Sequence, residues 1–187
     1  WFNYMTIRYN PSTGAQMWAT EYGYTDVNTN VKYEEINGLI ADSLGNVYIT
    51  GQSQGNGTSS AANDIATIKY NLSGVQQWVT RYTSTGNFDD RGLDITLDDT
   101  LNVYITGYKT ISTSNKDMIT IKYNNSGVQQ WLATFNGLGG VIDDSRAIEV
   151  KDDGSVYISG TTDVNPTIVV NDDYTTIKYN PQNTGVG

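Results

Sequence analysis

Carboxylates are the side chains in this sequence whose type and spacing could do chemistry. They fall in two rows, because similar stretches of sequence place them at matching positions. The first row precedes a predicted first strand, and the second row begins a predicted third strand. The two rows are Glu34, Asp90 and Asp143, and Asp64, Asp117 and Asp173. Oxygen ligands that converge in this way could hold Ca²⁺, a hard cation, and paired carboxylates could hydrolyse a glycosidic bond.

A structural role for the same carboxylates competes with both chemical roles. Aspartate in a turn or at the start of a strand accepts backbone hydrogen bonds. The sequence has no D-x-[DN]-x-[DN]-G calcium loop. A catalytic pair needs two carboxylates in different environments, whereas these recur in every unit. We therefore expect no catalytic residue, no assigned metal ligand and no cofactor, and leave Ca²⁺ and a binding role for the two rows open.

Composition excludes several classes of function. The 187 residues carry 20 acidic and 11 basic side chains, a net charge of −9, which disfavours nucleic acid and anionic membrane surfaces as partners. Histidine and cysteine are absent, which removes the commonest general base and any thiolate or disulfide site. No apolar run approaches the about 20 residues of a membrane-spanning helix. The chain begins at Trp1, from which we expect a processed or truncated product.

The elements that must position the carboxylates come from a sequence that occurs four times. Each copy contains a threonine, an isoleucine, a basic residue, a tyrosine and an asparagine. The copies are residues 6–10, 67–71, 120–124 and 176–180. Short β-type runs that repeat every 40–55 residues or so are typical of propellers.

Each repeat indicates four strands. In the third unit, residues 93–97 alternate apolar and polar side chains, and residues 102–107 are β-branched and aromatic. Residues 117–124 form the next run, and residues 128–134 follow after a tight Asn-Ser-Gly turn. Four antiparallel strands joined in order predict a propeller blade.

Tryptophan recurs at one position of the fourth strand. The three residues are Trp18, Trp78 and Trp131. Packing between blades is the favoured interpretation, and a platform for an aromatic ligand is the alternative.

The turn before the second strand differs in one unit. Gly45 and Gly154 take a position where a hairpin requires positive φ, but Leu101 takes it in the middle unit. That turn is therefore predicted to be of another type or to be strained.

The unit resembles the bacterial SBBP β-propeller repeat. The resemblance rests on D-I-A-T-I-K-Y-N at 64–71, on Gln77-Trp78 and on N-V-Y-I-T-G at 102–107, and it covers essentially the whole chain. It implies propeller blades in proteins that are secreted or exposed on the bacterial surface and that usually contain several modules. It implies no catalytic residue.

Counting strands predicts an incomplete propeller. We expect one domain, residues 1–187, with a partial blade at 1–35, blades at 36–83 and 92–136, and a partial blade at 146–180. These units contribute two, four, four and three strands, thirteen in all, whereas closed propellers have about 4–8 blades of four strands. The sequence therefore predicts an all-β fold of about three blades, a segment of a larger propeller and part of a larger chain or assembly.

Function is expected on the face that carries the long loops. Residues 52–63, 108–116 and 161–172 do not repeat, and variable loops on a rigid scaffold usually carry recognition. We expect a non-catalytic scaffold or binding module, secreted or on the bacterial cell surface, that binds a protein or glycan partner, as in adhesion. No nucleic acid and no membrane span are expected. A carboxylate-dependent carbohydrate-active enzyme and a structural spacer of an adhesin or filament are the alternatives.

Overall fold

The described part of a computed structural model of the chain is all-β. It comprises residues 3–23, 34–54, 62–86, 88–139, 141–163 and 172–180. These residues form thirteen strands in four antiparallel sheets. Within the same residues, no helix is long and apolar enough to cross a membrane.

Each sheet is a meander, in which strands that follow one another in sequence are neighbours in space. The first sheet pairs β1 (Tyr4–Tyr9) with β2 (Gln16–Tyr22). The second contains β3 (Glu34–Ala41), β4 (Val47–Gln54), β5 (Asn63–Tyr70) and β6 (Gln76–Tyr82). The third contains β7 (Arg91–Leu97), β8 (Val103–Ser112), β9 (Asn115–Tyr123) and β10 (Gln129–Phe135). The fourth contains β11 (Asp143–Val150), β12 (Val156–Asp163) and β13 (Asp172–Tyr179). The prediction of antiparallel, four-stranded blades in a propeller segment is confirmed.

The first strand of each larger sheet contains a β-bulge. Its register against the second strand shifts between residues 36 and 38, 92 and 94, and 145 and 147. The extra residue reverses which side chains face inward, so residues before the bulge do not continue the apolar pattern that follows it. The strands begin at residues 34, 91 and 143. The apolar pattern placed the starts of these blades slightly later, at residues 36, 92 and 146.

The core lies between neighbouring sheets. β7 packs on β3, β4 and β5, and β11 packs on β7, β8 and β9. We call each contact between two sheets a seam, and number the three seams along the chain. A cluster of buried aliphatic and tyrosine side chains fills each seam. Burying one isoleucine or valine contributes about 1.5–3 kcal/mol, so the seams are the main source of stability.

The two ends of the sheets differ in their connections. One end carries the short turns that join first to second and third to fourth strands, and we call it the turn face. At the other end, the second strands of the sheets end and the third strands begin, and we call it the variable face. Of the segments that do not repeat in sequence, residues 55–61 and 164–171 lie outside the part of the chain that the structure describes. The loop predicted at 108–116 is wrong for most of its length, because residues 108–112 belong to β8 and residues 115–116 to β9.

The turns that join the first two strands adopt one geometry in all three larger sheets. Gly45, Leu101 and Gly154 have φ of 80°, 61° and 78°. Each donates its N–H to the carbonyl three residues earlier. The turn at Leu101 is therefore of the same type as its counterparts. It is strained, because a left-handed conformation brings the Cβ of a non-glycine residue too close to the following carbonyl.

Replacing Leu101 with glycine is expected to raise the free energy of unfolding by about 1 kcal/mol, because the cost of the left-handed conformation disappears. Urea unfolding followed by tryptophan fluorescence would measure the change. Gly154→Leu is the matched control, and it should lose a similar amount at the same turn position. An unfolding midpoint that Leu101→Gly leaves unchanged or lowers would contradict the assignment of strain.

Candidate functional site

The sequence-predicted acids meet at the seams on the variable face. In the second seam, the N–H of Asp90 donates to the carbonyl of Asn63 at 2.7 Å. In the third seam, the N–H of Lys116 donates to the carbonyl of Val141 at 2.8 Å. Each seam thereby joins the start of a third strand to the start of the next sheet. The acids at these joints are Asp64 and Asp90 in the second seam, and Asp117 and Asp143 in the third.

Asp90 is fully buried and holds the connection between the second and third sheets. Its Oδ2 accepts the N–H of Ser84 at 2.6 Å, and its Oδ1 accepts the N–H of Thr110 at 2.9 Å. Burial raises the pKa of Asp90, the hydrogen bonds lower it, and the carboxylate of Asp64 raises it further. This carboxylate ties the connection to the end of β8, which is a structural arrangement.

Asp143 makes the corresponding contacts in the third seam and is also fully buried. Its Oδ2 accepts the N–H of Gly137 at 2.6 Å, and its Oδ1 accepts the hydroxyl of Thr162. A Cβ on Gly137 would lie 1.8 Å from Oγ1 of Thr162. The connection approaches the carboxylate closely only because residue 137 is glycine.

Asp64 and Asp117 each face a basic side chain of their own sheet. Oδ2 of Asp64 lies 3.3 Å from Nε of Arg81, and Oδ2 of Asp117 lies 3.7 Å from Nζ of Lys109. Burial raises the pKa of Asp117, Lys109 lowers it, and Asp143 across the seam raises it. The third seam therefore holds two neighbouring carboxyl groups in different environments.

The remaining two predicted acids lie at neither of these joints. Glu34 is buried at the start of β3, and its charge adds to burial in raising the pKa of Tyr4. Asp173 is exposed on β13. The six acids thus do not converge on one centre. In the part of the chain that the structure describes, no three acidic side chains come together closely enough to hold a metal ion.

Sequence reasoning missed a group of charged residues around Tyr108 at the third seam. Nζ of Lys116 lies 4.0 Å from the centre of the Tyr108 ring, and Nη2 of Arg146 lies 2.5 Å from Oδ2 of Asp144. Arg91 acts electrostatically on both Tyr108 and Asp144. We call these five residues the seam cluster. Burial raises the pKa of Asp144, and its three basic neighbours lower it.

One signal in the sequence could have identified the seam cluster. Glu35, Arg91 and Asp144 follow directly after the acids of the first row, yet they differ in charge. Nη1 of Arg91 lies 3.6 Å from Oε2 of Glu35, so opposite charges alternate from sheet to sheet. A position that changes its charge within a repeated framework is a candidate for specific recognition.

Exposed apolar side chains lie on the same face. Leu138, in the connection from β10 to β11, is 96% exposed, and Ile142 is 45% exposed. Ile142 forms a parallel bridge with Lys116, which places it beside the seam cluster. Apolar side chains next to arginine and tyrosine have the composition of a recognition surface.

The tryptophans stabilise the turn face. Nε1 of Trp18 donates to the carbonyl of Leu72, and Nε1 of Trp78 donates to the carbonyl of Asn125, both at 2.9 Å. The Trp78 ring rests on Gly127, where a Cβ would approach it to 2.8 Å. Each of these tryptophans thus connects one sheet to a turn of the next, which supports packing over a ligand platform.

Acidic residues of the seams make stability depend on pH in a defined direction. The pKa values of Asp90, Asp117 and Asp144 lie above the ordinary aspartate value of 3.8, mainly through burial. The folded chain therefore binds protons more readily than the unfolded chain, and the free energy of unfolding falls as pH rises above about 3.8. Hydrogen bonds outweigh burial and lower the pKa values of Asp42 and Asp98, so their contribution is lost only as pH falls below about 3.8.

We therefore expect a higher melting temperature at weakly acidic than at neutral pH, with a decline in stronger acid. Thermal unfolding followed by circular dichroism across this range would measure it. Asp144→Asn should weaken the dependence between weakly acidic and neutral pH. Asp173→Asn makes the same charge change at an exposed position and should weaken it less. Equal effects of the two variants would contradict the role of buried seam carboxyls.

The sequence matches one known family over part of its length. Residues 18–57 match the family model of the SBBP beta-propeller repeat. The match extends from β2 in the first sheet through β4 in the second sheet. It confirms the resemblance drawn from the sequence. A comparison with curated proteins found no match.

Proposed function

We propose that this chain, which carries an SBBP β-propeller repeat, is a non-catalytic scaffold that binds a partner through its variable face. Its proposed location is the outside of a bacterial cell, either secreted or attached to the surface. Its proposed partner is a protein or a glycan. A propeller segment alone does not specify a ligand, so the partner must be inferred from the residues of the variable face.

The observation that supports binding is that structural residues and exposed residues of the variable face are different ones. The repeated acids Asp90 and Asp143 are buried, and their oxygens accept hydrogen bonds from the framework. Two side chains that do not repeat are accessible: Leu138 is 96% exposed, and the Arg146 side chain is 65% exposed. Recognition by these residues would leave the framework intact.

A binding screen with matched variants tests the proposal. The chain is immobilised and presented with a glycan array and with purified bacterial surface proteins. A variant with Leu138→Ser and Arg146→Ala should lose binding, because both changes lie on the variable face. Leu44→Ser is the control, since Leu44 is 67% exposed on the turn face. Binding that survives the double change, or that Leu44→Ser removes equally, would contradict recognition by the variable face.

A second candidate is a carboxylate-dependent carbohydrate-active enzyme, favoured by one observation. Burial raises the pKa of Asp117, Asp143 across the seam accepts different hydrogen bonds, and glycoside hydrolysis uses two carboxyl groups in different environments. Asp117→Asn and Asp143→Asn should each abolish any hydrolysis found on a glycoside panel. Asp173→Asn should leave it unchanged. Hydrolysis that persists in both seam variants would exclude this pair as the catalytic residues.

A further inference from the structure

A lysine amine meets a side-chain amide across the second seam. Lys69 lies in β5 and is 9% exposed. Its Nζ donates a hydrogen bond to Oδ1 of Asn125, in the turn between β9 and β10. The hydroxyl of Tyr48 lies 3.4 Å from the same Oδ1, and Nε1 of Trp78 donates to the Asn125 carbonyl at 2.9 Å. Three side chains of one sheet therefore hold this asparagine of the next.

The neighbouring groups supply what an amine needs in order to attack an amide. Burial lowers the pKa of Lys69, which favours the uncharged, nucleophilic amine, while the charge of Asp42 opposes this. Oδ2 of Asp42 lies 3.2 Å from the Tyr48 hydroxyl, so a carboxylate that can accept a proton is close to the pair. The Tyr48 hydroxyl can donate to an oxygen that gains negative charge.

We propose that Lys69 and Asn125 react to form an intramolecular amide bond that joins the second and third sheets. The Lys69 ammonium gives one proton to the Asp42 carboxylate through the Tyr48 hydroxyl. This hydroxyl donates to Oδ2 of Asp42 and shares Oδ1 of Asn125 with Lys69. The amine lone pair forms a bond to Cγ of Asn125, and the carbonyl π electrons move onto Oδ1 beside the Tyr48 hydroxyl. As that electron pair returns, the Cγ–Nδ2 bond breaks.

The products balance without any other reactant. Nδ2 takes the second proton from the lysine nitrogen and leaves as ammonia. Ammonia then accepts the proton held by Asp42 and departs as ammonium, which restores the carboxylate. No oxidant, metal or cofactor enters the reaction, and the chain loses one molecule of ammonia, about 17 Da.

Among the described residues, no such pair of an amine and a side-chain amide occurs at the other two seams. At the first seam, Arg8 occupies the position of Lys69, and its Nη1 donates to the backbone carbonyl of Leu72 at 2.9 Å. A guanidinium that stays protonated is not a nucleophile. At the third seam, Nζ of Lys122 lies 3.9 Å from Oδ2 of Asp98. In sequence alone, the residue that aligns with Asn125 is Pro181, which has no side-chain amide.

Intact mass spectrometry of the whole chain tests the proposal after several days at neutral pH. We expect a mass about 17 Da below that of the sequence. Tryptic digestion should then yield residues 33–81 linked to residues 123–146, because trypsin does not cleave after an acylated lysine. Lys69→Arg copies the residue found at the first seam and should restore the full mass. Asn125→Ser should do the same, and it provides a second variant if one of the two fails to fold.

Two controls separate this reaction from others of equal mass change. A succinimide at an Asn-Gly pair, such as Asn37-Gly38 or Asn136-Gly137, also removes ammonia, but Lys69→Arg would not prevent it. Lys122→Arg changes the corresponding residue of the third sheet and should leave the mass loss in place. A wild-type chain with the full sequence mass, or a mass loss that persists in Lys69→Arg, would overturn the proposal.

Discussion

Replacing Trp78 with alanine is expected to lower the free energy of unfolding by about 3–4 kcal/mol. The ring packs against the core of the second seam, with its centre 6.2 Å from that of Tyr48. It also donates to the carbonyl of Asn125 and covers Gly127. Alanine would leave a cavity between two sheets. It would also remove the indole N–H that donates to the neighbouring turn.

Trp78→Phe separates the two contributions. Phenylalanine keeps most of the apolar contact but has no N–H, so it should lose about 1 kcal/mol for the hydrogen bond plus a smaller packing loss. Tyr174→Ala is the control for removing a large aromatic residue, since Tyr174 is 97% exposed, and it should change stability by less than about 0.5 kcal/mol. Urea unfolding of the three variants gives the comparison. A loss for Trp78→Ala no larger than that for Tyr174→Ala would contradict a role in the seam.

Asp90→Ala is expected to cost about 2–4 kcal/mol of folding stability, because it removes the acceptor of two buried backbone N–H groups. These are the N–H groups of Ser84 and Thr110. The same variant should speed hydrogen exchange at these two amides, since they lose the hydrogen bond that protects them. Hydrogen exchange followed by nuclear magnetic resonance would locate the effect, and urea unfolding would give its size.

Asp90→Asn distinguishes the acceptor from the charge. Asparagine keeps one oxygen but presents an amide NH₂ to the second N–H, so it should lose an intermediate amount of stability. Asp173→Ala provides the exposed control and should change stability by less than about 0.5 kcal/mol. If Asp90→Ala behaves like this control, Asp90 does not hold the connection between sheets.

Local patterns predicted the strands well. Alternating side chains, β-branched runs and turn residues specify strands and hairpins through contacts between residues close in sequence, and the thirteen strands follow them. There were two exceptions: residues 108–116, predicted as a loop although most of them extend β8 and β9, and the bulges. Each bulge reverses the alternation at the start of a first strand, so residues such as Asp143 and Asp144 have no apolar pattern to indicate that they belong to β11.

The candidate site was predicted only in part. The sequence located the acids of the third seam on the variable face, because the repeat sets the order of strands and hence the ends at which they meet. It did not indicate that Arg91, Lys116 and Arg146 gather around Tyr108 and Asp144. These residues come from four strands, and their encounter depends on how neighbouring sheets pack.

The blade could be predicted from the sequence, since the repeated Thr-Ile-Lys/Arg-Tyr-Asn strand and its turns depend on local geometry. Which side chains of neighbouring blades touch depends on the packing of the sheets and is seen only in the structure. Lys69 and Asn125 are 56 residues apart, and each is an ordinary member of its own repeat. They meet because the packing of neighbouring sheets brings the third strand of one against a turn of the next, a contact that no pattern within a single repeat encodes.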